Sequence, residues 1–211
     1  MNKRGKVLIV SGSAGSGKST VLSQFKAGVV EPFRFSVSAT TRQARVGEQN
    51  GVDYLFVTKD EFENMIENGD LLEHAVFNKN YYGTPKGPVL DLIEKGKIVI
   101  LEIEVDGAEQ VMGAFDERDI ISVFISPPDY ATLENRLRSR GTNTEEDIVE
   151  RLERAKEELE YASLYKYILI NYDNRSDEIT KAIVDLANGK EPTGLDIYCE
   201  SQEALREKFY K

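Results

Sequence analysis

Residues Gly12 to Ser19 read GSAGSGKS, and no other stretch restricts the fold of this chain as much. They fit GxxxxGK[ST], follow the apolar run Val7 to Val10, and lead into Thr20-Val21-Leu22. The run reads as a buried strand and the continuation as the first turns of a helix, which is the setting a phosphate-binding loop requires. Gly12, Gly15 and Gly17 let backbone N–H groups turn inward, and the helix N-terminus adds partial positive charge. Lys18 reaches phosphate oxygens as a point charge, and the Ser19 hydroxyl offers a ligand for Mg2+. An ordinary Gly/Ser turn would explain the glycines but not the strand-to-helix context.

Around this loop the hydrophobic pattern alternates strands with helices. Strands are expected over Lys6 to Ser11, Phe33 to Val37, Tyr54 to Val57, Leu71 to Phe77, around Tyr81-Tyr82-Gly83, Ile98 to Leu101, Ile120 to Ile125 and Tyr167 to Asn171. Helices are expected from Lys18 to Lys26 with Gly28 as a stop, from an Asp60 N-cap to Glu67, over Pro88 to Glu94, Gly107 to Phe115, Asp129 to Gly141, onward from a Thr144-Glu145-Glu146-Asp147 capping box, and over Asp177 to Ala187. In the capped helix Ile148, Leu152, Ala155 and Leu159 form one stripe. The continuous apolar runs at 98 and 120 suit central parallel strands covered on both faces. The expected fold is therefore α/β: a parallel sheet with helices on both faces, a mixed insertion over 33–96, a helical insert over 136–158, and an extension over 191–211.

With 211 residues and 40% hydrophobic content, one globular domain is expected over residues 1–190, its core about 1–32, 97–135 and 159–190. A net charge of -10 argues against a general nucleic-acid or membrane-surface binder. A lone Cys199 excludes an intrachain disulfide and a cysteine zinc site, and His74 is also alone. No apolar run of about 20 residues and no signal-peptide core is seen, so a cytoplasmic protein is expected.

Ligands on such sheets lie beyond the carboxyl ends of the strands. Glu102, which ends the Ile98 to Leu101 run, is there either a carboxylate that helps hold Mg2+ or its water, or an exposed acid at a strand end. The two inserts carry Arg42, Arg45, Arg136, Arg140 and Arg151. Surface charge explains any one of these, and less well five in the segments flanking a phosphate site.

Ser36-Val37-Ser38-Ala39-Thr40-Thr41-Arg42-Gln43-Ala44-Arg45, followed by Gly47-Glu48, Gly51, Asp53-Tyr54 and Phe56-Val57, resembles the signature segment of guanylate kinases. So do Leu72-Glu73-His74-Ala75, Asn80-Tyr81-Tyr82-Gly83-Thr84, Ile100-Leu101-Glu102-Ile103-Glu104, Arg140-Gly141-Thr142 with Thr144-Glu145-Glu146, and Glu150-Arg151-Leu152. The likeness runs in order over roughly residues 5 to 188. It implies transfer of the ATP γ-phosphoryl group to GMP. It implies guanine-reading roles for Ser38, Glu73 and Thr84, phosphate-holding roles for Arg42, Arg45, Tyr54 and Tyr82, and a part for Glu104 in shaping the acceptor site. For ATP it implies Gly12, Ser13, Ala14, Gly15, Ser16, Gly17, Lys18, Ser19 and Thr20, with Asn171 near adenine. Arg136, Arg140 and Arg151 become lid arginines closing over the transferring group, and Mg2+ accompanies ATP. Guanine presents N1–H and N2–H side by side, which one carboxylate accepts as a pair, whereas adenine would set a lone pair against Glu73. His74 reads as a packing or surface residue.

The chain departs from the family pattern at Ala44, where Pro is usual between the two arginines, at Glu104 and Asp106, where Asp and Gln are usual, and at Tyr172, where an acid is usual. Two other classes stand beside the kinase: a non-catalytic phosphopeptide-binding module, against which the intact loop weighs, and a kinase of another phosphorylated acceptor such as a ribose bisphosphate, against which Ser38, Glu73 and Thr84 weigh. Monomer and homodimer are both open. The tail, with an apparent helix Gln202 to Tyr210, is either docked or frayed.

Overall fold

The computed structural model describes residues 4–13, 15–27, 31–139 and 144–211. They gather into two compact units, residues 4–9 with 31–120, and residues 10–13, 15–27, 121–139 and 144–211. Strand β1 (Lys6–Ser11) is shared by both, and its Val7, Leu8, Ile9 and Val10 have no solvent exposure.

In the first unit β2 (Phe33–Phe35) runs parallel to the later β7 (Ile98–Glu102), with Phe33 opposite Ile98 and Phe35 opposite Ile100. Four strands make a second sheet: β3 (Ala39–Thr40), β4 (Leu55–Phe56), β5 (Leu71–Phe77) and β6 (Asn80–Pro85), in the order β4-β3-β6-β5. β5 and β6 form a hairpin whose two turn residues, Asn78 and Lys79, both have positive φ, 47° and 66°, the twist that suits a tight antiparallel turn. Helix α2 (Lys59–Glu67) begins at Thr58 and not at the expected Asp60 cap. Thr58 Oγ1 accepts from the Glu61 N–H while the Glu61 carboxylate accepts from the Thr58 N–H, so the reciprocal Thr-x-x-Glu pair satisfies two donors where Asp60 satisfies neither. Helices α3 (Lys86–Glu94) and α4 (Val105–Ala114) follow, each beginning two residues before the expected start.

The second unit holds helix α1 (Lys18–Ala27), strand β8 (Ile120–Ser126), helices α5 (Tyr130–Ser139) and α6 (Glu145–Glu160), strand β9 (Tyr167–Ile170) and helix α7 (Ser176–Ala187). β8 and β9 are parallel, and every residue of β9 is buried. The Thr144–Asp147 capping box forms as expected, and Ile148, Leu152, Ala155 and Leu159 are all buried. α1 lies on α7, joined by Gln24 donating to the Ser176 hydroxyl at 3.0 Å. β9 was expected to include Asn171 and to be the last strand, and neither holds. Asn171 sits just past the strand end, and β10 (Tyr198–Cys199) with α8 (Gln202–Phe209) docks the tail, burying Ile197, Leu205 and Phe209.

Among the described residues six of the ten strands, β1, β2 and β7 to β10, belong to one mostly parallel sheet. The α/β class is as expected from the alternation of elements. Among the described residues no helix is long and apolar enough to cross a membrane.

Candidate active site

The loop from Gly12 to Ser19 takes a backbone geometry that its glycines allow. Gly12, Gly15 and Gly17 have φ of 147°, 92° and 86°. A Cβ on Gly12 would lie 2.1 Å from the Ile125 carbonyl oxygen, and one on Gly17 would lie 2.1 Å from Asn171 Nδ2. Both positions thus require glycine for space as well as for φ. Ser13 and Ser16 are buried, with the Ser16 N–H donating to Ser13 O at 3.0 Å. Asn171 donates Nδ2 to Ser16 O at 2.8 Å, tying the strand end to the loop. Ser16 Oγ and Asn171 Oδ1 are buried and find no hydrogen-bond partner among the described residues. Lys18 leads α1, half-buried, its Nζ donating to Gly12 O at 3.1 Å. Ser19 and Thr20 are exposed beside it. Ala14 lies outside the described residues.

Arg136 of α5 lies against the same loop. It donates to Asn171 O at 2.8 Å, Gly15 O at 3.3 Å, Ser16 O at 3.5 Å and twice to Asp173 Oδ1 at 2.6 and 3.0 Å. Only a planar fork with five donors can serve so many acceptors at once. Arg138, on another face, bridges Glu134 and Glu145 and so links α5 to α6. Arg151 is half-exposed on α6 and makes no hydrogen bond or ion pair among the described residues. Arg140 lies outside them.

In the first unit β5 and β6 place Glu73 opposite Thr84. Glu73 is 7% exposed and accepts a hydrogen bond from the Thr84 hydroxyl at 2.6 Å. Burial pushes its carboxyl above the usual range, and the Thr84 hydroxyl pulls partly the other way. Such a group is costly unless a ligand supplies donors. Ser38, half-buried, precedes β3 and accepts from the Leu55 N–H at 2.9 Å.

Arg42 follows β3 and forms a two-pronged pair with Glu48, both contacts at 2.9 Å. Its guanidinium lies 5.3 Å from the Tyr54 ring centre and 5.7 Å from that of Phe56. Arg42, with the Arg45 backbone N–H adding to it, holds the Glu48 carboxyl down to about 2. Tyr82 stands edge-on to Tyr54 at 6.2 Å, and burial raises the Tyr54 hydroxyl first, with nearby Tyr82 adding to it. The Arg45 side chain is exposed. Tyr82 lies in β6 of the sheet that carries Glu73 and Thr84, Tyr54 directly precedes β4, and Arg42 and Arg45 lie in the loop after β3. Glu104 is the exposed N-cap residue of α4, and Glu102 is the exposed last residue of β7.

Three residues with structural parts here are not evident from motif spacing. Glu48 orients Arg42. Gly107 of α4 lies so near Glu73 that a Cβ on it would be 2.7 Å from Oε2. One turn on, Gln110 accepts from the His74 N–H at 3.1 Å and donates to His74 O at 3.2 Å, clasping β5 as a neighbouring strand would. A glycine inside a helix costs up to about 1 kcal/mol against alanine, and that cost was the available signal for Gly107. His74 itself is exposed, in keeping with a surface residue.

The Ser19 hydroxyl of the second unit and the Glu102 carboxylate of the first are both exposed hard oxygens. Among the described residues no group of three His, Cys, Asp or Glu could hold an ion. Hard oxygens of this kind suit Mg2+, which keeps several waters and is bound largely through nucleotide phosphates.

The family model described as guanylate kinase matches residues 4–188 of this chain. A guanylate kinase of Malacoplasma penetrans is 45% identical over 180 residues, covering 84% of this chain and 92% of that protein. One from a Nostoc species is 46% identical over 169 residues, covering 80% and 83%. The crystal structure of guanylate kinase from Anaplasma phagocytophilum superposes with a TM-score of 0.68 at 29% identity, covering 97% of this chain and 95% of that one. A family model over residues 4–188 and relatives of this identity and coverage establish that the chain belongs to the guanylate kinase family.

Proposed function

We propose that this protein transfers the γ-phosphoryl group of ATP to GMP, giving ADP and GDP, with residues 33–96 binding GMP and 136–158 serving as the lid. The observation that carries the acceptor assignment is Glu73, a buried carboxylate whose one oxygen takes the Thr84 hydroxyl. The guanine N1–H and N2–H pair supplies the donors that such an acid needs, and adenine lacks that pair. Ser38 adds a hydroxyl on the same sheet. Arg42, Arg45, Tyr54 and Tyr82 hold the GMP phosphate, Arg42 already aimed by Glu48 and its aromatic neighbours.

At the other substrate Gly12 to Thr20 wrap the ATP phosphates and Asn171 faces the adenine end. An oxygen of the GMP phosphate, whose second pKa is about 6, attacks Pγ, and the bond from Pγ to the β,γ-bridging oxygen breaks with its electron pair leaving on ADP. No strong base is required. Lys18 neutralises charge on the transferring group, with Arg136, Arg140 and Arg151 as the lid cations. Mg2+, held by Ser19 and through water by Glu102, would neutralise ATP phosphate charge. Closure excludes water, which would otherwise accept the phosphoryl group. Glu104 shapes the acceptor site with one methylene more than the usual Asp. The substrates fit a cytoplasmic enzyme.

Steady-state ADP release from ATP and Mg2+ with GMP, AMP, CMP and UMP in parallel, on the wild type and on Glu73→Gln, tests this reading. Turnover with GMP alone, reduced mainly in GMP specificity by the substitution, is expected. Tight ATP or GMP binding with no turnover of any nucleotide would overturn it.

A further inference from the structure

The chain continues beyond the matched region, which ends at residue 188, and the continuation is built into the second unit. β10 pairs antiparallel with β9, Tyr198 opposite Leu169 and Cys199 opposite Ile168. The Ile170 N–H donates to Ile197 O at 2.7 Å, one residue before Asn171. α8 seats on α6: Gln202 Nε2 donates to Leu159 O at 3.1 Å and Glu160 O at 2.9 Å, carbonyls of the last turn of α6. Arg206 pairs with the Glu160 carboxylate at 3.2 Å. Leu205 and Phe209 are buried, and Phe209 stands edge-on at 5.9 Å to Tyr130, the first residue of α5.

Tyr172, which departs from the family's usual acid, belongs to the same set of contacts. The Lys208 amine of α8 lies 5.1 Å from its ring centre and the Arg175 guanidinium 5.3 Å. Arg175 in turn forks onto Asp196 of the tail at 2.7 and 2.8 Å. A carboxylate at 172 could pair with such cations, but the ring also supplies an apolar face.

The tail therefore touches β9, which leads to Asn171 of the ATP set, and α5 and α6, which carry the lid arginines Arg136 and Arg151. We propose that residues 191–211 are a positioning brace for the ATP end of the site, and that Tyr172 is the surface on which the brace locks. The inference rests on the assignment of Asn171 to ATP and of Arg136 and Arg151 to the lid. A tail that only stabilised the fold would lower melting temperature without discriminating between the two substrates. A brace acts on ATP selectively, because every one of these tail contacts falls within the second unit, while Glu73, Thr84 and Arg42 lie in the first.

The test uses the full chain with Leu205→Asp, which sets a charge in the buried face of α8, and the milder pair Gln202→Ala with Arg206→Ala, which leaves that face intact. ADP affinity is read by calorimetry, and KM for ATP and for GMP is read at saturating co-substrate, below each variant's melting temperature. Expected is a rise of about fivefold or more in the ADP Kd and in KM for ATP, with KM for GMP within about twofold, in whichever variants fold. Unchanged ADP affinity in a folded variant of lowered melting temperature, or equal rises in both KM values, would overturn the brace. If the wild type binds ADP but does not phosphorylate GMP, the functional reading fails, while the ADP arm still decides the brace.

Discussion

Gly107 of α4 stands against Glu73 of β5 so closely that a Cβ at 107 would lie 2.7 Å from the Glu73 Oε2 atom and 3.2 Å from its Cδ. The helix therefore limits where the carboxylate can lie, and the Thr84 hydroxyl at 2.6 Å limits it from the neighbouring strand.

Gly107→Ala is expected to displace the Glu73 carboxylate and raise KM for GMP by about tenfold, with KM for ATP unchanged. Alanine is the better helix former, so the melting temperature should not fall for helical reasons. Parallel steady-state titrations of both substrates check this. An unchanged KM for GMP would show that the carboxylate has room to move.

Glu73→Gln separates binding from stability. Because burial raises the Glu73 pKa in the folded chain, folding favours its protonated form. That contribution is fully present below the ordinary value of about 4.5 and is lost as pH rises through the raised folded pKa. At pH 7.5 without nucleotide the Gln variant should melt about 2 to 4 °C above the wild type, and the gap should close near pH 4.5. Added GMP should reverse the order at pH 7.5. Thermal melts at the two pH values check it.

Glu48→Ala removes the partner that aims Arg42. The pair is near solvent, so the melting temperature should barely change. KM for GMP should rise about five- to tenfold, since the phosphate then meets a guanidinium that must first be ordered. The Glu48 carboxyl titrates at about 2, so this ion pair is lost only as pH falls toward that value and cannot produce a pH dependence near neutrality.

Arg136→Lys keeps the charge and loses the fork that spans Gly15 O, Asn171 O and Asp173. A fall of about tenfold or more in kcat/KM for ATP is expected, with GMP binding retained. An equal loss in Asp173→Asn would show that the clamp on the loop, and not the charge alone, is what matters.

Much of the fold was legible because its signals are local. β1 and β5 have the bounds that the apolar pattern implies, and the Thr144–Asp147 box and the stripe below it form as read. The Thr58 cap was equally local but competed with Asp60, and the reciprocal bond from Glu61 decided between them. The hairpin turn at Asn78 and Lys79 has no glycine, so its positive φ values did not stand out. Short strands such as β3, with two residues, carry too little periodicity to be seen.

By itself the sequence determined the phosphate loop, the α/β class and the family, because these depend on residue types at fixed spacings along the chain. It also named the residues assigned to guanine and phosphate, through resemblance. Tertiary structure alone decided that Gly107 faces Glu73, that Glu48 aims Arg42, that Arg136 lies on the loop carbonyls, and that the tail is docked. Apart from Glu48 and Arg42, which are six residues apart, those contacts join residues far apart in the chain. Gly107 and Glu73 are on different elements, as are Phe209 and Tyr130, and nothing in the local pattern of either partner encodes the other. Their meeting is set by how helices and strands bury apolar surface together, a property of the whole packed unit.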